Sequence, residues 1–185
     1  LEAGAEDVAP AVELLKSPEA EDLFDRCQAG LEKIFRCYGL EEPGRHPHWR
    51  PESMAKFAAD FEITNEVSHL PLQKIFHDCA HHENCNGDGT FGQISFAGFH
   101  LALVMIAQKM HSSHAHGPID RVRALFSRMS AVAATSNFGA RLGAQHEALL
   151  PVPQVSKGRA LGPPGPGTRS SRASLGRSRW GRDDD

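Results

Sequence analysis

Apolar residues recur at steps of three and four in five stretches of the chain, the spacing that places them on one face of an α-helix. The first stretch follows Ser17 and Pro18, which read as an N-cap and a first-turn proline. It ends at Gly39, where a left-handed C-terminal residue is expected. Its apolar positions are Leu23, Phe24, Cys27, Leu31, Ile34, Phe35 and Tyr38. This pattern predicts a long helix and an all-α fold.

Four further helices are predicted by the same spacing. The second opens at Pro51, the third runs from about Leu70 to Cys79, the fourth is capped by Ser95 and ends near His111, and the fifth follows Gly117 and Pro118. The residues predicted to face inward are Met54, Phe57 and Phe61 on the second helix, and Leu72, Ile75, Phe76 and Cys79 on the third. On the fourth they are Phe99, Ala102, Leu103, Met105 and Ile106, and on the fifth Ile119, Val122, Leu125, Phe126 and Met129.

An internal repeat relates the first four of these helices. "LEKIFRCY" from Leu31 and "LQKIFHDC" from Leu72 align without a gap and share Leu, Lys, Ile and Phe in order. Each copy is followed by a loop, an apolar residue and another helix. We therefore predict two EF-hand-like helix-loop-helix units that pair through short backbone segments at Trp49 and Ile94 and bury a common core.

The same reading divides the chain into four parts. Residues 1–16 are predicted to be a flexible N-terminal extension, 17–116 the paired units, and 117–136 an additional helix. Residues 137–185 are rich in glycine, proline, serine and arginine, with too little apolar content to offset the entropy of ordering. That last part is predicted to be a disordered tail.

The loop between the third and fourth predicted helices is acidic and rich in asparagine and glycine. Asn84, Asn86 and Asp88 alternate as the first calcium ligands of an EF-hand do. In that register the closing position holds Ser95, a neutral hydroxyl in place of a bidentate carboxylate. These three residues are therefore only weak metal candidates, and the loops are predicted to be lengthened, degenerate and without a tightly bound metal.

Histidines and cysteines around this loop raise the question of zinc. The candidate ligands are His77, Cys79, His81, His82 and Cys85. Structural zinc sites pair ligands two to four residues apart with a matching pair elsewhere, and this spacing fits poorly. No cofactor is predicted, while weak calcium or zinc binding is left open. Four cysteines are too few for a disulfide scaffold, so we predict reduced thiols in a cytoplasmic protein.

"MAKFAADFEI" from Met54 and "ISFAGFHLALVMIA" from Ile94 resemble the tubulin-polymerisation-promoting family of the EF-hand superfamily, over roughly residues 23–110. That family also pairs helices through lengthened, degenerate loops. The resemblance implies a non-catalytic protein-interaction module whose partner is tubulin or another microtubule or ciliary protein. It also implies a place at the cytoskeleton or cilium.

A second resemblance is to EH domains, EF-hand pairs that bind Asn-Pro-Phe peptides between their helices. "LQKIF" and "GFHLALVMI" are similar to the third and fourth helices of those domains, and Phe76 stands where they keep a tryptophan. The alternative function is therefore an adaptor that binds short peptides in membrane traffic. Phe76 and Trp49 are candidate partner contacts.

The net charge and the absence of several sequence motifs argue against other classes of function. The net charge of −3 gives no overall attraction to nucleic acid, and no transmembrane or secretory segment is visible. No phosphate loop, nucleophile elbow or metalloprotease helix occurs, so catalysis is not expected. Asp78 and Glu83 are interpreted as surface carboxylates. In the tail, a basic cluster could bind an acidic partner through Arg169, Arg172, Arg177 and Arg179.

Overall fold

The computed structural model describes residues 5–40, 46–87, 92–110, 117–136 and 149–152, all of which belong to one compact unit that spans Leu1–Pro153. These residues form six α-helices and a short 3₁₀ turn, Ile63–Asn65, and their only extended pairings are isolated bridges. The helices are α1 (Ala5–Leu15), α2 (Pro18–Tyr38), α3 (Pro51–Asp60), α4 (His69–Cys85), α5 (Phe96–Lys109) and α6 (Pro118–Thr135). The described part of the chain is therefore helical, as predicted.

Helix α2 begins and ends where the sequence predicts, but its last turn closes differently. The Ser17 hydroxyl accepts a hydrogen bond from the Ala20 N–H at 3.3 Å, which confirms the N-cap. Gly39 follows the helix with φ −70°, so the predicted left-handed conformation is wrong. A Cβ on Gly39 would lie 2.9 Å from the Phe35 carbonyl oxygen. Close approach to this carbonyl, rather than a positive φ, is what favours glycine there.

Helix α5 lies at the centre of the fold. Its residues from Leu101 to Ala107 are all buried, because α1, α2, α4 and α6 all pack against it. A helix covered on every side can be apolar on every face, which explains the longest apolar run in the sequence. Among the described residues, no helix combines the length and apolar character needed to cross a membrane.

The connections that precede α3 and α5 meet in an antiparallel bridge, as the repeat predicts. The Trp49 N–H donates to the Ile94 carbonyl at 2.9 Å, and the Ile94 N–H donates to the Trp49 carbonyl at 3.1 Å. The Trp49 ring stacks on Phe35 at 5.5 Å and lies 4.6 Å from Phe99 and 5.1 Å from Phe57. This aromatic cluster joins α2, α3 and α5.

Two predicted boundaries are wrong. The supposed flexible extension, residues 1–16, contains α1, whose Val8 and Ala11 are buried in the core. The supposed tail, residues 137–185, includes Leu149 and Leu150, which are buried as well. Helix α1 packs on α5, and Leu149 and Leu150 join the hydrophobic core, although neither stretch has a strong apolar period of its own. Residues 153–185 lie outside the described part.

Helix α4 extends beyond its predicted end at Cys79. Its last turns carry mostly polar side chains and so lack the apolar spacing on which the prediction relied. Helix α3 begins at Pro51 as predicted and buries Met54 and Phe57. The additional helix predicted over residues 117–136 is present as α6.

Candidate functional site

A groove between α3 and α4 is the clearest concave surface on the described residues. Its volume is about 150 Å³. The floor is apolar and consists of the buried side chains Met54, Leu72 and Phe76. The remaining lining residues are partly or fully exposed: Pro51, Glu52, Ala55, His69 and Gln73. The groove thus has an apolar floor and polar residues around its opening.

Leu70 adds an exposed apolar side chain to the start of α4. It is 77 % exposed, whereas the apolar residues on the inner face of the same helix are buried. Leu70 directly follows His69, which lines the groove. Leu70 does not itself line the groove, and a single exposed apolar residue is common on protein surfaces.

The two predicted partner contacts have different positions. Phe76 forms part of the groove floor, so a bound side chain could touch it. Trp49 is 0 % exposed, and its indole Nε1 donates a hydrogen bond to the Phe35 carbonyl at 2.8 Å. A partner cannot reach Trp49 without opening the core. Trp49 is therefore a core residue, and the interpretation of it as a partner contact is wrong.

The loop between α4 and α5 is closed by Glu83, which sequence reasoning placed on the surface. Glu83 is only 7 % exposed. One carboxylate oxygen accepts from the Ser95 N–H at 2.9 Å, and the other accepts from the Gly98 N–H at 2.8 Å and from the Ser95 hydroxyl. A negative charge at a helix N-terminus is favourable, and here it satisfies N–H groups that begin α5.

Gly98 is required by this contact. A Cβ at Gly98 would lie 2.7 Å from the Glu83 carboxyl carbon. The sequence signal was therefore a glycine in the first turn of a helix, preceded by Ser95 as the cap and by an acidic residue at the end of the previous helix. Asp78, the other carboxylate interpreted as a surface group, forms a 2.7 Å ion pair with Lys74.

The structure describes two of the three weak metal candidates. Asn84 lies in the last turn of α4 and Asn86 caps that helix, and both are exposed. Asp88 lies outside the described residues. Within the described ranges, no group of three or more histidine, cysteine or acidic residues is arranged to hold a metal ion.

The cysteines are four free thiols in two environments. Burial raises the pKa of Cys27 to about 11, and burial together with the nearby carboxylates of Glu83 and Asp78 raises the pKa of Cys79 well above its ordinary value. These two thiols stay protonated and unreactive at neutral pH. Cys85 is exposed, with its sulfur 3.6 Å from the ring of His81.

His100 is a partly buried imidazole on α5. Its ring centroid lies 4.7 Å from that of Phe24 and 4.4 Å from that of Phe96. Burial lowers the pKa of His100 to about 4, while Asp25 and Glu32 oppose part of this shift. Its Nε2 atom has no hydrogen-bond partner among the described residues. His100 is therefore neutral at physiological pH.

The predicted basic cluster lies outside the described residues; it consists of Arg169, Arg172, Arg177 and Arg179.

A comparison of the chain with models of protein families, with curated proteins and with solved structures finds no match.

Proposed function

We propose that this chain is a non-catalytic protein-interaction module and that the α3–α4 groove receives an apolar side chain of its partner. The groove supports the proposal because it places Met54, Leu72 and Phe76 beneath an open polar mouth. Protein interfaces concentrate their binding energy where one large side chain enters such a desolvated pocket, with polar residues around it.

The size of the groove favours a side chain over a small-molecule substrate. Sites for substrates and cofactors usually enclose about 300–1,000 Å³, and this groove has about 150 Å³. The titratable groups that line it, Glu52 and His69, are exposed to water. Enzymes rely on groups held in a water-excluded site, so the groove is better suited to binding than to catalysis.

The helices that form the groove belong to the proposed EF-hand-like pair. In this proposal α2 and α3 are one unit, α4 and α5 are the other, and the bridge between Trp49 and Ile94 joins their loops. The hydrogen bonds of Glu83 to Ser95 and Gly98 support calcium independence, because they close the second loop with a side chain of the protein itself.

The partner class comes from the family resemblance. We propose a microtubule or ciliary protein, tubulin included, and hence a cytoplasmic location at the cytoskeleton or cilium. The alternative is an adaptor that binds short peptides, as EH domains do. The presence of Phe76 in the floor of a groove sized for one side chain favours that alternative enough to test it alongside.

One pair of variants tests both partners. Ala55→Lys places a long cationic side chain in the groove, and Ala59→Lys places the same side chain on an exposed position of the same helix, outside the groove. The two assays are co-pelleting with taxol-stabilised microtubules and titration with an Asn-Pro-Phe peptide.

We expect the unchanged chain and Ala59→Lys to pellet with microtubules, and Ala55→Lys to lose most of that binding. Binding of the peptide alone, lost in Ala55→Lys, would favour the adaptor. If the unchanged chain binds neither probe, both proposed partner classes are wrong. If it binds equally well with lysine at either position, the groove is not the site.

A further inference from the structure

A short segment with a bent backbone, which follows α6 in the chain, packs against both α2 and α6. It consists of residues 149–152, "LLPV", and we call it the strap. Leu149 and Leu150 are buried, Val152 is partly buried, and Pro151 is exposed. Apolar side chains thus face the domain on an element that is neither helix nor strand.

The strap is held by side chains of α6 rather than by backbone pairing. The Ser130 hydroxyl accepts from the Leu150 N–H at 2.9 Å and donates to the Leu150 carbonyl at 3.2 Å. One serine therefore satisfies both backbone groups of Leu150. The Leu150 carbonyl also accepts from the Val152 N–H at 2.8 Å, so the segment is turned at this point. Hydrogen bonds to the main chain hold such a segment while its side chains occupy pockets.

Helix α2 is shaped to accept the strap. Gly30 is buried in the middle of α2, where glycine disfavours a helix. A Cβ there would lie 1.9 Å from the Leu149 carbonyl oxygen and 2.9 Å from the Leu150 side chain. The missing side chain provides the space through which the strap backbone passes, and this explains the glycine.

We propose that the surface between Gly30 and Ser130 is a peptide-binding groove occupied in cis by the strap. Its ligand class is a short apolar segment with two adjacent leucines followed by proline, turned as the strap is. Such a segment of a partner would compete with the strap, which then acts as an internal inhibitor. The proposal is independent of the function assigned to the α3–α4 groove.

The attachment of the strap suits such an exchange. Within the described residues, its hydrogen bonds to the helices run through Ser130 alone, whereas each core helix is held by a full backbone ladder. Local opening should therefore release the strap at much lower free energy than global unfolding. A competitor would need to displace the side chains of Leu149, Leu150 and Val152 and the two hydrogen bonds to Ser130.

The first test uses the full chain with Leu149→Ser and Leu150→Ser, which empties the groove without shortening the protein. The probe is a labelled peptide of residues 146–153, titrated by fluorescence anisotropy. We expect the doubly substituted chain to bind the peptide at least tenfold more tightly than the unchanged chain. Adding Gly30→Ala to the double variant should abolish binding, because the new Cβ occupies the path of the backbone.

The control for surface changes is Ala29→Ser, at the exposed position next to Gly30 on α2, and it should leave binding by the emptied chain unchanged. The proposal is overturned if the emptied chain is folded by circular dichroism and does not bind the peptide. It is equally overturned if the emptied chain is unfolded, since the strap would then be an integral part of the core.

A second test needs no substitution. Hydrogen exchange of the Leu150 amide in the unchanged chain should be at least a hundredfold faster than that of the buried α5 amides, because the strap opens while the helices stay folded. Exchange of Leu150 at the same rate as the α5 amides would show that the strap leaves only with global unfolding, and it would overturn the proposal.

Discussion

Glu83, near the end of α4, is hydrogen-bonded to Ser95 and Gly98 at the start of α5. We expect Glu83→Ala to lower the free energy of unfolding by about 2–4 kcal/mol, because charge-assisted hydrogen bonds to buried N–H groups are lost. Glu83→Gln should cost less, since it keeps an acceptor oxygen. Urea denaturation measures both. Asp78→Ala is the control and should cost under about 1 kcal/mol, as for a pair near water. If Glu83→Ala lowers the free energy of unfolding by no more than Asp78→Ala does, Glu83 does not stabilise the closed loop.

His100 should make stability depend on pH in a defined window. The unfolded imidazole titrates near pH 6.5, and in the folded chain burial lowers the pKa of His100 to about 4. Between these values the unfolded state binds more protons, so the free energy of unfolding falls as the pH drops, by up to about 3 kcal/mol. His100→Phe should remove this component. Denaturation at several pH values from 7 to 4 measures it.

His77 provides the control for this titration because it is an exposed histidine on α4. His77→Phe should leave the pH dependence of the unchanged chain intact. Since phenylalanine also alters packing, the comparison concerns the slope with pH and not absolute stability. An unaltered slope in His100→Phe would show that other groups cause the acid sensitivity.

At the scale of single residues, the sequence identified apolar core positions well and polar ones poorly. Met54, Phe57 and Phe61 are buried as predicted, because helical spacing alone places them on one face. Glu83 was misplaced because its burial depends on Ser95 and Gly98, which contact it only after the loop has folded. Spacing along one helix contains no information about such a contact.

The two copies of the repeat place equivalent phenylalanines in the core. Phe35 is 4 % exposed and contacts Trp49, Phe96 and Phe99, while Phe76 is 1 % exposed and also lines the α3–α4 groove. We expect Phe35→Ala and Phe76→Ala each to lower the free energy of unfolding by about 3–5 kcal/mol. Phe35 should give the larger loss because it contacts more rings. A nearly neutral result at either position in denaturation experiments would contradict paired units.

Calcium should leave these elements unchanged. Glu83 bonds Ser95 and Gly98 across the α4–α5 loop, and of the three candidate ligands Asn84 and Asn86 are neutral and exposed, which leaves Asp88 as the one carboxylate in the set. Millimolar calcium should therefore shift the melting temperature by less than about 2 °C, since a ligand stabilises only the state that it binds. Calorimetry with magnesium as the matched control tests this. A large shift specific to calcium would mean that the loop binds the metal.

Element boundaries were predictable only where the sequence carries a local signal. Ser17 and Ser95 cap α2 and α5 as predicted, because capping chemistry lies within three residues of the helix start. Helix α1 was missed because Pro10 stands inside it and its acidic, alanine-rich sequence gives no clear boundary signal. Its packing on α5 outweighs the weak local preference, which sequence rules judge alone.

At the scale of the whole molecule, the fold is arranged around α5. Helices α2 and α4, which contain the two copies of the repeat, cover part of the apolar run Leu101 to Ala107 in α5. The remaining cover comes from α1 and α6, which lie outside the repeat. The repeat therefore indicated part of this packing without showing that α1 and α6 are needed to complete the core.

The core also includes side chains of the strap, residues 149–152. A chain that ends after Pro153 should keep the stability of the full chain, since the compact unit reaches that residue. A chain that ends after Ser136 loses the buried Leu149 and Leu150 and should be less stable, but still folded. The expected loss is under about 3 kcal/mol, because the burial of the two leucines is offset by the entropy of ordering the segment. Urea denaturation of both truncated chains measures this loss. Equal stability of the two chains would show that the strap contributes nothing to the fold. If the shorter chain is unfolded, the strap is indispensable.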